Sequence, residues 1–150
     1  MNHRLIKQMF DACYMAKRTR DMLPPLPEGV QPSYIHYLDC MQELEEKGKQ
    51  VRISDLSEFL NIPRPGVTRT VKEMEAKGYL QKIASPDDGR VTFLTATEKG
   101  RKLHQKYDEE YFNGILPYFD SISEEAETMI ATIEKFYQIM SGRRETYDKR

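Results

Sequence analysis

Residues 54–77 read SDLSEFLNIPRPGVTRTVKEMEAK, and two short amphipathic helices joined by a tight turn account for the pattern. In the first helix Leu56, Phe59 and Leu60 share one face. In the second, Val67, Val71 and Met74 recur at spacings of four and three. Between them, IPRP excludes continuous helix, while Pro65 suits the first turn of the second one. Ser54 is expected to cap the first helix, and Gly78 to end the second in a left-handed conformation.

Residues 79–95, YLQKIASPDDGRVTFLT, follow directly and predict a β-hairpin around Pro86-Asp87-Asp88-Gly89. Gly89 is expected to supply a positive φ, and Asp88 to pair with a neighbouring arginine and so orient the tip. The turn itself does not require Arg90.

With VRI (51–53) expected as a short strand before the first helix, the order is strand, helix, turn, helix, hairpin. That is the order of a winged helix-turn-helix. Its second helix can enter a major groove, and a hairpin tip can reach the neighbouring minor groove. Arg64, Thr68, Arg69 and Lys72 have suitable chemistry on that helix. Arg90 suits a narrow, strongly negative minor groove, and Ser54 completes the candidate DNA-contacting set.

Net charge is −1, which argues against a general polyanion binder, but the charge is unevenly spread. Residues 64–102 hold nine basic side chains against five acidic ones, whereas residues 103–150 hold six against ten. A near-neutral chain with one basic segment suits a module that meets DNA through that segment.

Outside the lobe, Ile6, Met9, Phe10, Cys13 and Ala16 mark a helix over about 3–22, ended by LPPLPEGVQP. A second helix is predicted from an N-cap at Ser33 to Lys47, stopped by Gly48. Thr97 is expected to cap a helix reaching at least Tyr111. Ser121 or Ser123 should cap the last one, whose stripe is Ala126, Met129, Ile133, Phe136, Tyr137 and Met140. The two cysteines, Cys13 and Cys40, cannot build a disulfide framework and are expected to be buried, inert thiols.

The stretch from Ser54 to Gly100 resembles the DNA-binding lobe of MarR-family transcriptional regulators. The resemblance rests on DLSEFLNIPRPGVTRTVKEMEAKGYLQK, on the wing Asp88-Gly89-Arg90, and on Thr97-Glu98-Lys99-Gly100 at the next helix entry. Ala96 stands where the family usually has leucine, Pro63 where it often has a capping serine, and Gly66 where it often has threonine or serine. The implied fold is mainly α with a small β-hairpin wing. The implied organisation is one domain over 1–150, with 51–96 as the winged lobe and 1–50 and 97–150 as a mainly helical dimerisation region.

The resemblance further implies a homodimer on a pseudo-palindromic duplex, probed by small aromatic effectors that bind between the lobe and the dimerisation helices. Tyr14, Tyr34, Tyr37 and His36 could line such a cleft, although aromatics at helical spacing usually form plain core. The stripe on 122–140, beside Tyr111, Phe112, Tyr118 and Phe119, independently exceeds what one lobe can cover.

Other classes fare worse. No Gly-rich phosphate loop, nucleophile elbow or paired carboxylates suggests an enzyme. His3, His36 and His104 are scattered, so no metal and no cofactor is expected. No apolar run can span a bilayer, and the charged N-terminus lacks a signal-peptide core, so a cytoplasmic protein is expected. A winged-helix module that binds protein instead of DNA is the remaining alternative.

Overall fold

A computed structural model describes residues 1–147, with side chains through residue 144. The chain gathers into two compact units, Met1–Asp108 and the segment from Glu109 onward. No described helix is long and apolar enough to cross a membrane.

The first unit holds α1 (His3–Arg20), α2 (Pro32–Glu46), α3 (Ile53–Leu60), α4 (Arg64–Ala76), β1 (Leu80–Ala84), β2 (Thr92–Ala96) and α5 (Glu98–His104). The two strands pair antiparallel, from Leu80 opposite Ala96 to Ala84 opposite Thr92. Val51 adds one bridge to Leu94, so the expected VRI strand is a single pair, and Ile53 is already helical. The fold is thus mostly helical with a two-stranded wing.

One core holds this unit together. Tyr34, Tyr37, Leu38 and Met41 from α2 meet Leu56, the Val67–Val71–Met74 stripe and Leu80, all at or below 2% exposure. Burying a side chain of this size contributes about 1.5–3 kcal/mol. Two glycines are required by the way the elements join. Gly78, at φ +78°, closes α4: its N–H and that of Tyr79 bond back to Glu75 O and Met74 O. Gly100 lies where a Cβ would come within 2.0 Å of Tyr79 O, so no larger residue fits there unless the backbone moves.

Helix starts differ from expectation in three places. α3 is capped at Arg52, whose N–H donates to Asp55 Oδ2 at 2.8 Å, so Ser54 lies inside the first turn. α2 begins at Pro32, which has no N–H to leave unpaired, so Ser33 is also helical. Ser121 falls in a 3₁₀ turn ahead of α7. Thr97 does cap α5, its hydroxyl accepting from Gly100 N–H at 3.1 Å.

A π-helical turn, Gln105–Glu109, follows α5. The second unit continues with α6 (Glu110–Ile115), two 3₁₀ turns and α7 (Ser123–Tyr147). Its stripe residues Met129, Ile133, Tyr137 and Met140 are all exposed, as are Leu5, Ile6, Phe10 and Tyr14 of α1.

Candidate nucleic-acid interface

α4 carries its apolar stripe on one side only, so the opposite side faces solvent. At about 100° per residue, Thr68, Lys72 and Arg69 fall within a ~100° arc on that outer side. Arg64, on the first turn, lies about 40° beyond the Thr68 edge of that arc, toward Val71. All four are exposed. Pro63, the N-cap, offers no side-chain acceptor, so the positive end of α4 is left open to solvent. The absent capping hydroxyl was visible in the sequence.

The structure sorts the nine cations of residues 64–102 into two groups. Five are engaged. Lys77 donates to Gly29 O and Tyr34 Oη at 2.6 and 2.9 Å, and the bond with Tyr34 raises its pKa above the ordinary lysine value. Lys82 pairs with Glu75 at 3.1 Å, fastening β1 to α4. Lys99 donates to Lys77 O at 2.7 Å and lies over the Tyr79 ring. Arg101 donates to Ala96 O at 2.6 Å, and Lys102 pairs with Glu98 at 3.5 Å.

The other four, Arg64, Arg69, Lys72 and Arg90, have side chains with no ion pair or hydrogen bond among the described residues. These are the cations singled out from the sequence. Three project from α4, and Arg90 stands at the hairpin tip.

The tip turn is built differently from expectation. Gly89 does not adopt a positive φ; the left-handed glycines are Gly29, Gly48 and Gly78. Asp88 does the work instead. Its Oδ1 accepts from Arg90 N–H at 3.0 Å and its carbonyl from Val91 N–H at 3.0 Å, while Ser85 Oγ accepts from Asp87 N–H at 3.3 Å. Asp88 thus aims Arg90 through the backbone rather than by pairing with a guanidinium, which leaves the Arg90 charge available.

Ser54 belongs to a different element, the first turn of α3. It is half-buried and lines an open polar cleft of about 570 Å³ beside Lys49, Arg52, Asp55 and Phe93. Arg52 covers the Phe93 ring at 5.4 Å, and Lys49 pairs with Asp55 at 2.9 Å. Partial burial disfavours the Asp55 carboxylate, but the bonds from Lys49 and Arg52 N–H outweigh this and hold its pKa below the ordinary value.

Of the aromatics proposed for a cleft, Tyr34 and Tyr37 are core, while Tyr14 and His36 are exposed. Cys40 is buried, and burial followed by the nearby carboxylates pushes its thiol up to about 11, which keeps it protonated. Cys13 is exposed, contrary to expectation, because α1 buries no residue within this chain.

Comparison with known proteins agrees with this geometry. The MarR family profile matches residues 28–91, from before α2 to just past the hairpin tip. The uncharacterized HTH-type transcriptional regulator YdgJ of Bacillus subtilis (strain 168) is 31% identical over 74 residues, 49% of this chain and 43% of that relative. The chain therefore spans less than half of that relative's length. Among solved structures, Streptococcus pneumoniae FabT in complex with DNA superposes with a TM-score of 0.66 at 21% identity, covering 93% of this chain and 98% of that one. The S. aureus MepR–DNA complex gives 0.59 at 16% identity, covering 93% and 99%. The fold and the unpaired cations define a winged helix-turn-helix protein. Its matched segment and its architecture are similar to those of MarR family proteins.

Proposed function

We propose that the chain is a sequence-specific transcriptional regulator, a repressor, that binds duplex DNA as a homodimer and releases it on a small-molecule or stress signal. The observation that carries this reading is the sorting of the cations. A merely solvated basic surface would pair its cations with neighbouring carboxylates as readily on α4 as on α5. Instead the four without partners among the described residues lie at the start of α4, on its outer side and at the wing tip.

In this reading Arg69 and Arg64 take guanine edges, Thr68 a thymine methyl or phosphate, and Lys72 phosphate. Arg90 enters the minor groove, and Asp88 and Gly89 shape its turn. Ser54, from the first turn of α3, is assigned to the DNA backbone. FabT and MepR have each been solved in complex with DNA, which supports DNA as the partner. MepR has also been solved with ethidium bromide, which supports an aromatic effector.

The exposed stripes on α1 and α7 are assigned to a second copy, which would set the two α4 helices on successive major grooves about 34–36 Å apart. Selecting bound fragments from genomic DNA tests the reading. Recovered fragments should share a pseudo-palindrome with half-sites about one helical turn apart. Failure to enrich any sequence would overturn it.

A further inference from the structure

Three ionisable side chains away from the α4 surface converge at the end of α5. His104 is 4% exposed, placed there because Leu103 beside it enters the core where α5 packs on α2. Its Nε2 lies 3.2 Å from Asp39 Oδ1 of α2 and 3.5 Å from Asp108 Oδ2, one turn further along the chain. One donor atom from each of the three residues falls within 4.8 Å of the others. All three belong to the Met1–Asp108 unit.

Both carboxylates address the same ring nitrogen. A neutral imidazole carries at most one proton there, and one N–H cannot point at two oxygens with good geometry. Two negative groups around a buried ring favour an added positive charge. A divalent cation supplies that charge and bonds all three at once. With metal–nitrogen and metal–oxygen bonds of about 2.0–2.2 Å, donors at the corners of a tetrahedron stand about 3.3–3.5 Å apart.

The two observed His104–carboxylate separations already lie close to that edge length. Asp39 has a side chain 56% exposed and Asp108 one 26% exposed, so rotation can close the third edge and a hydrated ion can enter. Three protein donors leave a fourth position for water.

We infer that Asp39, His104 and Asp108 form a binding site for a divalent transition cation that accepts one imidazole nitrogen and two carboxylate oxygens, as zinc and manganese do. The bound ion ties the end of α5 to α2. The inference does not depend on DNA binding.

The test uses the full chain, stripped by a chelator and titrated with Zn²⁺ against a chromophoric competitor. Wild type should take up one tight equivalent and melt at higher temperature with the metal present. D39N and D108N keep the size of each side chain and should weaken uptake about tenfold or more, as should H104Q. A variant carrying H3Q, H36Q and C13S, which removes exposed alternative donors, should bind like wild type. Absence of a tight equivalent would overturn the site. So would full affinity in D39N and D108N, or loss of binding in the triple variant. If H104Q fails to fold, the two aspartate variants decide.

Discussion

The helix-turn-helix lobe and the helices flanking it solve the same packing problem in opposite ways. In the lobe, α4 buries Val67, Val71 and Met74 at 0% exposure against α2 and α3, and its outer side keeps unpaired cations. α1 buries nothing, and α7 leaves Met129 and Ile133 at 56% and 44% exposure. The lobe is complete within one chain. The flanking stripes are equally regular in sequence but lack their other half, which the proposed second copy would supply. The most severe way to break this contrast is a charge in the stripe. Ile133→Glu should give monomers by light scattering and weaken operator binding by about 10²–10⁴-fold, because the two lobes lose their linkage. A dimer of undiminished affinity would place the interface elsewhere.

Within the lobe, the same contrast predicts a large cost without any partner. Met74→Ala should destabilise the chain by about 2–5 kcal/mol in urea unfolding, the usual cost of emptying a buried site. An effect below 1 kcal/mol would mean that the α4 stripe is not the centre of the core.

How much of this was legible follows from which interactions are local. The α4 stripe, the Gly78 stop, the Thr97 cap and the hairpin were readable because each depends on residues a few positions apart. Ser54 was misread as a cap because Asp55 can reach back to Arg52 N–H, starting α3 two residues earlier. Gly89 was misread because Asp88 closes the turn by accepting two N–H groups, so no left-handed residue is needed. Cys13 was misread because a helical stripe states that a face will be covered but not by which chain. Arg64, Arg69, Lys72 and Arg90 were proposed as DNA contacts from type and position. That these four of the nine cations would lack ion pairs and hydrogen bonds among the described residues could not be seen, since the partners of the others include Gly29 O, 48 residues from Lys77. The Asp39–His104 pair spans 65 residues and left no pattern at all.

Smaller effects sharpen the split between engaged and unpaired cations. Arg69→Ala should cost about 1–3 kcal/mol in operator binding and relax preference at one position per half-site, measured with a fluorescent operator. Equal weakening on random DNA would reduce Arg69 to a phosphate contact. Arg90→Ala should lower the slope of log affinity against log salt by about one unit. An unchanged slope would take the wing out of the interface. Lys102→Ala, on the engaged side, should leave that slope unaltered.

The smallest expected effect lies beside α3, where an engaged pair has a structural role and the cations proposed to meet DNA do not. Asp55 holds the start of α3 through Arg52 N–H and Lys49, and these bonds keep its carboxyl more acidic in the folded chain than in the unfolded one. A carboxyl with a lowered folded pKa stabilises the fold fully above its unfolded value, near 3.9, and loses that contribution as pH falls through the folded value. Asp55→Asn should therefore cost about 0.5–1.5 kcal/mol at neutral pH, the net worth of one such hydrogen bond. The difference from wild type should shrink as urea unfolding is repeated below pH 4. A gap that stayed constant into acid would show that the amide loses shape complementarity at the α3 start rather than charge.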